Sequence, residues 1–183
     1  MGPWIALVIA LLIAVWAVTV FNRLVRLRNQ TQTAWADIDV QLTRRHDLVP
    51  QLVTAVKAYA GHEQAVLEAV TELRLRALHQ HGPARLGEVE SQLEQALTRL
   101  IALKEAYPDL KSSTNFLELQ RELVEIEEQL QYARRFYNGS VRDYNIGVQR
   151  VPDVIVARLG GFDGGEFYQA EAEQRSAVLV QVR

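Results

Sequence analysis

Four histidines, His46, His62, His79 and His81, and 22 acidic residues are the side chains of this 183-residue chain best suited to metal or acid–base chemistry. A helical bundle holds a di-iron centre when Glu and Glu-x-x-His pairs project inward from facing helices. No histidine here has a glutamate three residues before it. His79 and His81 stand beside Gly82-Pro83 with no thiol or carboxylate close in sequence to complete a metal shell. The chain has no cysteine, which removes thiolate zinc sites, cysteine nucleophiles, disulfides and an acylated-cysteine anchor together. It also lacks a phosphate-cradling glycine loop, a Gly-x-Ser-x-Gly elbow and a His-Glu-x-x-His helix. The expectation is a protein that is not an enzyme, with no cofactor, no bound metal and no small-molecule substrate. Lys and Arg number 20 against 22 acids, a net charge of -2 with no basic face, so nucleic acid is not an expected partner either.

The polar residues that stand out are Arg44, Arg45 and His46. Arg45 falls in an apolar seam, where an unpaired guanidinium carries a large desolvation cost. It is read as snorkelling out of the seam or as paired with a carboxylate of another helix, in preference to a partner or lipid-headgroup site. Glu125, Glu127 and Glu128 are read as a solvated helical face.

The elements that carry these residues begin with an anchor. From Pro3 to Phe21 every residue is apolar except Thr19. Nineteen helical residues reach about 28 Å against a hydrocarbon core of about 30 Å, so residues 1–22 are expected to form an uncleaved single-pass transmembrane helix in a lipid bilayer. Arg23, Arg26 and Arg28 follow it directly, which places the remaining domain on the cytoplasmic side of a bacterial plasma membrane.

Residues 23–151 read as an antiparallel, all-α four-helix bundle with long first and fourth helices. No Gly or Pro interrupts Phe21 to Val49, so the anchor helix should run straight on. Its seam steps by four and three through Trp35, Ile38, Leu42, Arg45, Val49, Leu52, Val56 and Tyr59, in the manner of a coiled coil, with Pro50 expected to kink the helix and Gly61 to stop it. A second helix is expected over His62–Gln80 and a third over Ala84–Ala106. A polar loop, Asp109–Thr114, then leads to a fourth helix opened by a capping box of Asn115 and Glu118. The fourth helix carries the longest seam, from Phe116 through Leu119, Leu123, Ile126, Leu130, Ala133, Tyr137 and Tyr144 to Val148, and ends before Pro152. Residues 152–183 read as an irregular, glycine-rich tail outside the bundle pattern. Within it, Ala177–Val182 has strand composition and is expected either to be disordered or to pair with another chain.

Three stretches carry a resemblance: Ala34–Val53 (AWADIDVQLTRRHDLVPQLV), Ala133–Asn145 (ARRFYNGSVRDYN) and Leu159–Glu171 around LGGF and EFYQAE. Together with AYPDL at Ala106–Leu110 and NFLELQREL at Asn115–Leu123, they resemble the LemA family of small bacterial membrane proteins. The resemblance implies an N-terminal transmembrane helix ahead of a helical bundle, and brings no catalytic or cofactor residues with it. It also implies an association with membrane stress, often beside a membrane metalloprotease, and in one branch with magnetosome membranes.

The functional expectation is therefore a non-enzymatic, membrane-anchored scaffold or adaptor that self-assembles as a homo-oligomer and meets other membrane proteins. The alternative is a regulator or client-delivery partner of a membrane metalloprotease in envelope stress. Unequal helix lengths leave only a two-helix stalk near the membrane, where Trp35 lies opposite Tyr137, Ser140 and Tyr144. Large aromatics on such a stalk mark an interface, so Trp35, Tyr137 and Tyr144 are expected to pack against neighbouring protomers. The competing arrangement has the tail folding back to cover them with Ile155, Leu159, Phe162 and Phe167.

Overall fold

A computed structural model of the chain describes residues 2–168. The elements in order are α1 (Gly2–Lys57), α2 (Gln64–Leu78), α3 (Pro83–Ala102), a 3-10 turn (Leu103–Glu105), α4 (Pro108–Ser112), α5 (Thr114–Gln149) and α6 (Val154–Leu159), with no strand among the described residues. The strand expected at Ala177–Val182 lies outside them.

The fold is all-α, as its periodicity requires. Three apolar clusters are stacked along α1, and the residue order within them gives each helix its direction. The first joins Leu48, Leu52 and Val56 to Leu67 and Val70 of α2, Leu93 to Leu100 of α3, and Phe116 to Ile126 of α5. The second joins Ala34, Ile38 and Leu42 to Ala77, Leu86, Val89, Leu130, Tyr137 and Val141. The third joins Val20 and Leu24 to Tyr144, Val156, Ala157 and Phe162. Numbers rise in α1 and α3 where they fall in α2 and α5, so neighbouring helices run antiparallel.

The α1 seam is buried from Ile38 to Val56, while Tyr59 stays 45% exposed because α1 ends two residues before it, earlier than the expected stop at Gly61. Near the third cluster α1 and α5 approach closely at Gly147, where a Cβ would meet Leu27 at 3.1 Å and Leu24 at 3.2 Å. Pro3 to Phe21 form the first five turns of α1, a stretch long and apolar enough to cross a membrane.

Besides the earlier ends of α1, α2 and α3, three segments differ from expectation. The polar segment 109–114 is largely helical, as α4, because Pro108 at its first turn has the φ a helix start needs and Leu110 is drawn into the first cluster. The cap of α5 is Ser113, whose Oγ accepts from the Phe116 amide at 3.4 Å, two residues ahead of the expected Asn115–Glu118 box. The tail as far as Tyr168 belongs to the core rather than lying outside the bundle.

Candidate functional site

Between the first and second apolar clusters lies a polar layer to which α1, α2, α3 and α5 all contribute. Arg45 of α1 is fully buried, and its guanidinium donates to Glu90 of α3 and, at 2.6 Å, to Glu127 Oε1 of α5. The other oxygen of Glu90 pairs with His46 Nε2 at 2.7 Å. Burial alone works against both charged forms. For Arg45 the facing carboxylates outweigh it and hold the guanidinium above its ordinary pKa. For Glu90 the His46 hydrogen bond and the Arg45 charge outweigh it and hold the carboxyl below its ordinary value. The pairing is reciprocal and the charge stays in place.

Pro50 sets the fourth contribution. A proline removes the amide that would bond the carbonyl four residues back, here that of His46. Arg74 Nε of α2 donates to that carbonyl at 2.6 Å, so the bond α1 forgoes ties α2 to the layer. One turn along α3 and two along α5, Arg134 pairs with Glu94 at 3.3 Å and lies 5.0 Å above the ring of Tyr168, carrying the polar contacts from the bundle into the tail. Arg45 is thus paired with carboxylates of other helices, and Glu127 is a partner rather than part of a solvated face. Glu125 and Glu128 remain exposed. In sequence the three glutamates look alike; only Glu127 follows Leu123 and Ile126 onto the side that faces α1.

Along α5 a second constellation holds the tail. Asn138 and Asn145 are two helical turns apart, about 10 Å, which matches three residues of extended chain. Asn145 donates to the Gly165 carbonyl at 3.0 Å and accepts from the Gly165 amide at 2.7 Å. Asn138 does the same with Tyr168, at 3.1 and 2.9 Å, and Tyr137 donates its hydroxyl to the Glu166 carbonyl at 2.8 Å between them. The tail reaches this track because α6 ends in a Schellman turn. Gly161 takes the left-handed conformation at φ 66°, and the Phe162 amide bonds the Ala157 carbonyl at 2.9 Å.

This is where the aromatic residues expected at an interface are found. Trp35 packs on Tyr137 with ring centroids 5.3 Å apart and on Tyr168 at 6.3 Å. Tyr144 is buried with Phe162, Val20 and Leu24. The chain's own tail packs against Trp35, Tyr137 and Tyr144, the fold-back arrangement that was set against a neighbouring protomer. The physical reason is the asparagine track, which satisfies the tail's backbone and lets it bury Phe162 and Tyr168. Sequence reasoning missed it because an asparagine that bonds backbone leaves no complementary residue type to find. Of the three topology arginines, Arg23 pairs with buried Asp153 at 3.3 Å, while Arg26 and Arg28 are exposed.

Chemically, the layer is an ionic latch. Both Glu90 oxygens are engaged, and among the described residues no group of three His, Cys, Asp or Glu side chains is placed to hold a metal.

Residues 34–182 match the family model described as the LemA family. Among curated proteins, the chain is 24% identical over 186 residues to magnetosome protein MamQ 1 of Paramagnetospirillum magneticum, covering 87% of this chain and 68% of that protein. It is 22% identical to magnetosome protein MamQ of Magnetospirillum gryphiswaldense at the same coverage. Against protein LemA of Metamycoplasma hominis the identity is 26% over 167 residues, with coverage of 88% and 75%. The match takes in α1 from Ala34, the whole polar layer and the asparagine track, and on it the chain belongs to the LemA family.

Proposed function

We propose that this protein is a non-catalytic scaffold, anchored in a bacterial plasma membrane by residues 3–21 and self-assembling side by side through the outer face of α1 and α5. One observation carries the assembly. Val40, Tyr132 and Phe136 are 56%, 63% and 51% exposed and line a groove of about 360 Å³ between the two long helices. Exposed aromatics gathered at one groove are the usual mark of a protein interface. Light scattering of the full chain in mild detergent should give an oligomer, and Tyr132→Ser with Phe136→Ser should shift it towards the monomer with helical content unchanged. Persistence of the oligomer in that variant rejects this surface. Regulation of a membrane metalloprotease, or client delivery to it, rests on family association, and identification of co-purifying proteins in the same preparation tests it.

The bundle is assigned to the cytoplasmic side, supported by Arg23, Arg26 and Arg28 after the span. A phosphatase active only outside the cytoplasm, fused after Arg183, should be silent. Strong activity reverses the orientation.

A further inference from the structure

We propose that residues 150–162 form an interfacial foot, in which Val151, Ile155 and Leu159 insert into the same leaflet through which the N-terminal helix passes. The inference rests on reading the N-terminal part of α1 as the membrane span.

Depth is the first observation. Val156, Ala157 and Phe162 pack with Val20 and Leu24, and Phe162 meets Phe21 with ring centroids 5.3 Å apart. The same cluster half-buries Trp16 and Ala17, which lie inside the apolar run. Trp16 is five residues before Phe21, about 7.5 Å along the helix. Leu24 is three residues after it, about 4.5 Å, which is within the headgroup layer of about 5–7 Å on each side of the hydrocarbon. A segment packed from Trp16 to Leu24 therefore straddles the boundary between acyl chains and headgroups.

The exposed face is the second. α6 turns Val156 and Ala157 towards α1 and leaves Val151, Ile155 and Leu159 at 79%, 56% and 86% exposure. Ile155 and Leu159 are four apart in α6 and share one side of it, and Val151 is exposed in the turn just ahead of the helix. Within the described residues nothing covers them, and at this depth the solvent around them is lipid.

Charge is the third. Arg26, Arg28, Arg150 and Arg158 are exposed at this end of the molecule, while Arg23 is already paired with Asp153. The facing acids are Asp143, which pairs with Arg142 at 3.2 Å, and Asp163. An apolar face rimmed by arginine is the composition of segments that lie in the plane of an anionic bilayer.

Because the chain has no cysteine, single variants can be labelled at one place. The full chain would carry bimane at Leu11→Cys, Leu159→Cys or Val124→Cys in vesicles of phosphatidylcholine and phosphatidylglycerol. Iodide probes the water and nitroxides on the acyl chains probe the lipid. The label at 159 should be shielded from iodide several-fold relative to 124 and quenched by the lipid nitroxide, as at 11. Quenching at 11 with iodide access at 159 equal to that at 124 overturns the foot and leaves the anchor standing. Shielding at 159 without nitroxide quenching also overturns it, since protein and not lipid then covers the face. Absence of nitroxide quenching at 11 removes the anchor itself.

Discussion

Replacing Glu90 by leucine should lower the unfolding free energy of the bundle by about 3 kcal/mol or more, the range for removing one partner of a buried ion pair. The variant leaves the Arg45 guanidinium, which has no accessible neutral form, with Glu127 alone, and takes the carboxylate from His46. The informative comparison is the triple replacement Arg45→Met, Glu90→Leu, Glu127→Leu. Once these three charges are gone only the buried His46 imidazole is left without its partner, and stability should return most of the way to that of the parent. Denaturant midpoints followed by helical circular dichroism in a mild detergent would measure both. A single variant as stable as the parent would show that the layer does not latch the four helices.

The pH dependence follows from the same residue. Glu90 titrates lower in the folded protein than when unfolded, so its contribution is present above the ordinary glutamate pKa of about 4.3 and is lost as pH falls through the folded value. The parent should therefore lose stability in acid more steeply than the triple variant.

The second large effect is expected in the tail. Asn138→Ala with Asn145→Ala removes four hydrogen bonds between α5 and the backbone of Gly165 and Tyr168. At about 0.5–1.5 kcal/mol each, the loss is at least about 2 kcal/mol of docking free energy. Exchange of the Gly165 and Tyr168 amides should then quicken by about 30-fold, with 1.4 kcal/mol per decade, while exchange in α3 stays as it was. Unchanged protection at the two amides would mean that Phe162 and Tyr168 hold the tail by burial alone.

How far the sequence discloses this molecule depends on what each position must satisfy. Ile38, Leu42, Val49, Leu52 and Val56 announce themselves because burial demands apolar side chains at helical spacing, and the whole α5 seam is legible on the same ground. Arg45 is legible as an anomaly in that pattern, and its need for carboxylates follows from desolvation. Which carboxylates is not legible: Glu90 stands in α3 between Val89 and the rest of the seam, and Glu127 hides in a run of similar residues, so only the packed geometry selects them. Pro50 signals a freed carbonyl at His46, yet not that Arg74 answers it. The tail is the least legible part, because its partners on α5 read backbone groups that every residue carries.

The unbroken course of α1 makes the bundle a lever. From Asn22 to Lys57 the helix extends about 54 Å beyond the apolar run at about 1.5 Å per residue, and Pro50 lies within it without ending it. Transmembrane helices tilt by about 20° on average, and over that length such a tilt carries the distal end sideways by about 18 Å. Under the proposed membrane span, and with the tail fastened across the root of the rod, a change in bilayer thickness that alters the tilt would reach the far tip as a displacement several times larger than the change itself.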